Sequence, residues 1–145
     1  MRKHFTSYLL GVGVVLLTAG CEKDSDADPV LLNTRWKLDR IGDFSLGLSS
    51  YHFDYDSYIQ FSADKSVKGL ATCTDFSGDF TYAPAKNELS LGALTLAPPT
   101  CNSPYIAARY LAALPTIVRY EVDATTLRLY DAQNKDPQLV FKAAP

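Results

Sequence analysis

From residue 34 onward the apolar side chains of this sequence recur mainly at every second position, and that period admits few structures other than strands. In residues 34–41, Trp36 and Leu38 fall on one face and Lys37 and Asp39 on the other. Residues 57–61 set Ile59 and Phe61 opposite Tyr58 and Gln60, and a turn follows at residues 63–65. Residues 66–73 continue with Val67, Gly69, Ala71 and Cys73 on one face. Phe80 and Tyr82 mark another strand, closed by the polar stretch 84–87, and Leu89 and Leu91 begin the next. Three further patterns end the chain, on Val118, Tyr120 and Val122, on Leu127 and Leu129, and on Leu139 and Phe141. Residues 42–57, rich in Gly, Ser, Asp and Tyr, read as a long loop. One segment has a different period. Ser103 suits an N-cap, Pro104 the first helical position, and Ile106, Tyr110, Leu111 and Leu114 follow at helical spacing until Pro115. Strands, one helix, then a meander predict an α+β fold: a curved, half-barrel-like antiparallel sheet packed against one main α-helix.

The first twenty residues obey another logic. Arg2 and Lys3 precede an apolar run of ten residues, 8–17, and the small residues Thr18, Ala19 and Gly20 lead to Cys21. Charge, apolar core and small-residue cut site make a secretory signal. The run is too short for a membrane span, which takes roughly 20 apolar residues. Leu17-Thr18-Ala19-Gly20-Cys21 resembles the bacterial lipobox, with Thr18 where leucine is usual. That resemblance implies cleavage between Gly20 and Cys21 and lipid, palmitate included, on the Cys21 thiol. Residues 1–20 are then a signal peptide, 21–30 a lipidated and flexible tether, and 31–145 a single domain. The tether is charged and almost free of apolar residues. Its acids after the cysteine resemble a surface-export signal of some lipoproteins, and also suit a plain soluble spacer.

Removing Arg2 and Lys3 from 14 basic residues leaves 12 against 16 acids, a net charge of −4. That balance argues against nucleic acid and offers no polybasic route to anionic lipid. Of the two histidines only His52 survives cleavage, so a histidine-rich metal site is ruled out and a nucleophilic triad could draw only on that residue. No metal, cofactor or catalytic residue is expected. The segment around Tyr51, His52, Asp54 and Tyr55 interleaves aromatics with acids and could touch a ligand, although a loop leading into a strand explains it as well. Asp75 and Asp79 flank Ser77-Gly78 and read as a tight bend whose carboxylates bond backbone amides.

With Cys21 lipidated, Cys73 and Cys101 are the remaining thiols. Exported thiols tend to pair, and closing this 28-residue loop would stabilise by about 3–4 kcal/mol. Two buried free thiols or one reactive cysteine are the other readings. Here a second resemblance appears. The run from Cys73 to Phe80, preceded by Gly69, resembles the central signature of the META-domain family, which includes heat-inducible bacterial lipoproteins. Gly69, Cys73, Phe76 and Gly78 match it, while Thr74 replaces the usual asparagine. Thr34, Trp36 and Leu38 fit its opening, residues 95–101 its second motif, and Leu114, Tyr120, Leu127 and Leu129 its close. The resemblance covers residues 31–141 and implies a compact α+β domain, a structural role for Cys73 and Cys101, no enzyme activity and a part in envelope stress tolerance. The expectation is a lipid-anchored protein of the cell envelope, at the outer membrane on its periplasmic face or at the cell surface. It would be a non-enzymatic module for an envelope protein partner or for stress tolerance. The alternative is a binder of lipid or a small hydrophobic ligand on the concave face of the sheet.

Overall fold

The computed structural model describes residues 28–46, 57–102 and 104–145. Its strands are β1 (Arg35–Ile41), β2 (Phe44–Ser45), β3 (Tyr58–Phe61), β4 (Ser66–Ala71), β5 (Thr74–Ala83), β6 (Glu88–Leu91) and β7 (Thr95–Leu96). Helix α1 (Pro104–Ala113) follows, then β8 (Ile117–Val122), β9 (Thr126–Asp131) and β10 (Leu139–Ala143). Neighbours pair antiparallel in the order β1–β3–β4–β5–β6–β8–β9–β10, and β10 returns to β1. The ring is therefore a closed eight-strand barrel.

This corrects the expected α+β half-barrel: the domain is mostly β, and it has no open concave face. The reason lies in β1. One edge pairs with β3, Trp36 opposite Ile59, and the other with β10, Leu38 opposite Phe141. With both edges of the first strand used, the eight-strand ring closes on itself. Helix α1, at about 1.5 Å per residue, is too short to cover a sheet face. It sits across one end instead, where buried Tyr110 packs edge-on against Phe76 at 5.8 Å and donates its hydroxyl to the Tyr58 carbonyl at 3.2 Å.

The alternation that predicted strands also fills the barrel. Trp36, Phe61, Phe80, Tyr120 and Phe141 are buried together with Ile59, Leu89, Leu127, Leu129 and Leu139. An eight-strand ring has an interior just wide enough for side chains. The end opposite α1 is plugged by the chain as it enters. Leu31 and Leu32 are buried, Trp36 Nε1 donates to the Leu31 carbonyl at 3.1 Å, and Leu32 bridges to Phe61. Asp28 caps this plug, accepting from the Val30 and Leu31 amides and from the Tyr120 hydroxyl at 3.3 Å.

Residues 74–83 form one continuous strand, not the tight bend expected around Ser77-Gly78, so Asp75 and Asp79 stand exposed on its outer face. Gly69 lies opposite Phe76, and a Cβ there would run into the Phe76 ring and the Tyr58 carbonyl. The aromatic ring occupies the space the glycine leaves open.

Candidate functional site

Gly20 and Cys21, and likewise Tyr51, His52, Asp54 and Tyr55, lie outside the described residues, as does the expected N-cap Ser103. Cys73 and Cys101 are brought together as a disulfide with their Cα atoms 5.5 Å apart. Cys73 is in the β4–β5 turn, beyond the strand it was expected to end. The neighbouring Thr72 takes a φ of 57° and donates its amide to Ser57 Oγ at 2.8 Å. On the other side Thr100 bonds the Cys73 carbonyl with both its amide, at 3.0 Å, and its hydroxyl, at 3.2 Å. Leu96 pairs with Phe76, so the strap from β6 to the disulfide runs along the start of β5 and delivers the chain to α1. The disulfide thus secures the helix end of the barrel.

Two surface depressions are formed by residues for which the sequence suggests no binding role. The larger, about 690 Å³, lies where β6 meets β8. These strands pair through a single residue pair, Glu88 opposite Arg119, supported by the Tyr120 amide on the Asn87 carbonyl at 2.9 Å. β8 is irregular between Ile117 and Arg119, and Val118 is turned to solvent there. Lys86, Glu88, Arg119 and Asp131 give the groove both signs of charge, and Thr81 and Ser90 add a bonded hydroxyl pair at 2.9 Å. Arg119 also stacks on the Tyr130 ring at 4.1 Å, and Tyr130 donates its hydroxyl to Glu121 at 2.7 Å. The smaller depression, about 400 Å³, is apolar and lies at the helix end between Leu91, Leu94, Leu96, Leu111 and Pro115. No local signal reveals either one, because each depends on which strands meet across a long stretch of chain.

Titratable groups follow from turn geometry and burial. The Ser66 hydroxyl and then its amide hold Asp64 below the ordinary carboxylate range. The Thr125 amide does the same for Asp123, and the Asn134 amide for Asp131. Burial raises the phenols of Tyr110, Tyr120 and Tyr130 and keeps them protonated. These carboxylates are anions fixed in turns and the phenols are packed donors. Such groups hold shape and charge in the turns and the core. Among the described residues no cluster of three or more His, Cys, Asp or Glu could hold a metal ion, and no helix is long and apolar enough to cross a membrane.

The family model of the META domain matches residues 29–144, nearly the whole barrel from plug to last strand. The chain belongs to the META-domain family. No curated protein matches it. Among solved structures, this META domain is similar to a protein from Burkholderia xenovorans at 19% identity, covering 99% of each chain with a TM-score of 0.61. It is also similar to a DUF4847 family protein from Bacteroides vulgatus at 14% identity, covering 79% of this chain and 94% of that one with a TM-score of 0.57. At those identities the likeness is one of fold. The META-domain signature now has a physical reading. Gly69 makes room for Phe76, Cys73 holds the strap, and at Gly78 a Cβ would meet the Ala93 carbonyl at 3.0 Å where that strap begins.

Proposed function

We propose that this META-domain protein is a lipid-anchored module of the cell envelope, held at the outer membrane by lipid on Cys21, that binds an envelope partner and supports stress tolerance without catalysing a reaction. The observation that carries this reading is the packing of the barrel. Its interior is filled by Trp36, Phe61, Phe80 and Phe141 and both ends are covered, which leaves binding to the outer wall. The same packing removes the concave face on which a lipid or hydrophobic ligand was expected to lie. The mixed-charge groove along β6 and β8 suits a polar partner, with Lys86 and Arg119 offering donors and Glu88 an acceptor.

Cells lacking the chromosomal copy and carrying the wild type, Cys21→Ser or Ser90→Trp test both halves. Ser90 is exposed in the groove, so tryptophan there obstructs it while leaving the core untouched. Cys21→Ser leaves the membrane fraction, and Ser90→Trp stays in it but loses survival under envelope stress by about tenfold, as an interface substitution worth about 1.4 kcal/mol would give. Membrane retention of Cys21→Ser overturns the anchor, and full survival with Ser90→Trp overturns the groove.

A further inference from the structure

Charge on the outer wall of the barrel is sorted by strand. The arc β9–β10–β1–β3–β4 carries Arg35, Lys37, Arg40, Lys68 and Lys142 against Asp39 and Asp131, with Arg128 paired to Asp123 of the adjoining turn at 3.5 Å. On β5, β6 and β8 the balance inverts, with Asp75, Asp79, Glu88 and Glu121 against Arg119. Register gathers the cations. Lys37 lies directly opposite Lys142, and Arg35 and Lys68 flank Gln60 from the two neighbouring strands. Like charges directly opposite one another on paired strands do not by themselves favour the sheet. Arg35, Lys37, Lys68 and Lys142 are all exposed. Arg35 rests on the Tyr58 ring at 3.8 Å and Lys142 donates to Thr126 at 3.3 Å, contacts that leave their charge unneutralised. A chain of net charge −2, or −4 without residues 1–20, thus carries a basic band that composition hides, because β1, β4, β9 and β10 assemble it and no contiguous run of sequence contains it.

The band lies toward the end where the chain enters the barrel. Arg35 opens β1 beside the plug, its carbonyl accepts the Ala144 amide at 2.8 Å, and Lys142 is near the end of β10. Residues 22–27 separate Cys21 from the fixed Asp28, which limits the span to about 25 Å even when fully extended. Attraction of Lys and Arg to an anionic bilayer fades within a Debye length of about 10 Å, so it acts only on a domain already held close. A short tether provides that proximity by raising the effective concentration of the surface.

We propose that this basic band is a docking surface for the phosphate headgroups of the bilayer to which the chain is tethered. Docking turns the acidic wall, with the β6–β8 groove, away from the lipid. The inference rests on the anchored reading above, and its test is built to fail separately from it. The mature chain is coupled through Cys21 to a maleimide lipid, which supplies the anchor whether or not cells attach one, and is placed in phosphatidylcholine nanodiscs with or without phosphatidylglycerol and with a paramagnetic headgroup lipid. With phosphatidylglycerol, amide signals of Arg35, Lys37, Lys68 and Lys142 broaden severalfold more than those of Asp75, Asp79 and Glu121. The contrast disappears without the anionic lipid, at high salt, and in Arg35→Glu/Lys68→Glu, whose thermal midpoint stays that of the wild type. Equal broadening of the two walls, stronger broadening of the acidic wall, or a contrast indifferent to phosphatidylglycerol overturns the proposal. Membrane retention of Cys21→Ser in cells would overturn natural anchoring alone.

Discussion

At the scale of single residues, Gly69 has the least room of the described glycines. Gly69→Ala forces its new methyl against the Phe76 ring and the Tyr58 carbonyl, and overpacking of this kind costs about 1–3 kcal/mol. Urea unfolding should show that loss as a lower midpoint at unchanged slope, and a wild-type midpoint would mean the hairpin can shift to accept the methyl. The turn aspartates set the response to acid. Asp64, Asp123 and Asp131 titrate below their ordinary value of 3.8 in the fold, so each contributes stability that is present above that value and is lost as pH falls through the depressed folded one. Denaturant midpoints followed from neutral pH into this range decline for the wild type and decline less for Asp64→Ala/Asp123→Ala. Matching curves would assign acid sensitivity elsewhere. These residues differ in how legible they were. Asp64 sits in a turn evident from Ala63-Asp64-Lys65, whereas Gly69 was placed on the correct face without its partner, because Phe76 is brought to it by the neighbouring strand.

At the scale of elements, strands were easier to read than their neighbours. The period-two pattern placed β1, β3, β4, β6, β8, β9 and β10, and Pro104 and Pro115 bounded α1, since each of these signals lies within a few residues. β2 and β7, two residues each, carry no period at all. β5 was read only from Phe80 onward because Gly78 resembles a turn when its partners Val67 and the strap are out of view. Closure of the ring was not legible for a related reason. The pairing of β1 with β10 joins the two ends of the domain, and no turn residue announces it. The groove on β6 and β8 was invisible on the same ground, while Cys73 and Cys101 were found because export chemistry singles them out. Their disulfide holds the strap and the helix entrance, two elements with few other ties. Reducing it, or replacing both cysteines with serine, costs about 3–4 kcal/mol in the loop-entropy account and leaves the barrel folded. Calorimetry with and without reductant checks this, and a reduced protein as stable as the oxidised one would mean the strap is held by Thr100 and β7 alone.

At the scale of the whole molecule, the barrel separates two duties by placing them on different surfaces. The interior and its two covers are committed to stability, and the wall is left to carry charge and grooves. The expectation of a ligand on an open concave sheet disappears with closure. Closure also imposes an order of assembly. β1 is the first strand of the domain to be made and β10 the last, yet each is the other's partner, Trp36 to Ala143 through Ile41 to Leu139. A chain shortened at Pro137 therefore lacks the strand that joins the ring and should show no cooperative thermal transition; a sharp transition would show that seven strands suffice. Folds dominated by such distant pairings reach the native state over about milliseconds to seconds, slower than locally connected ones. On the proposed export from the N-terminus, the leading strand keeps one edge unpaired until the trailing one has crossed. During that interval Trp36 and Leu38 have no barrel to enter, so the chain depends on whatever shields apolar segments in transit, and its yield should be limited by that passage as much as by its final stability.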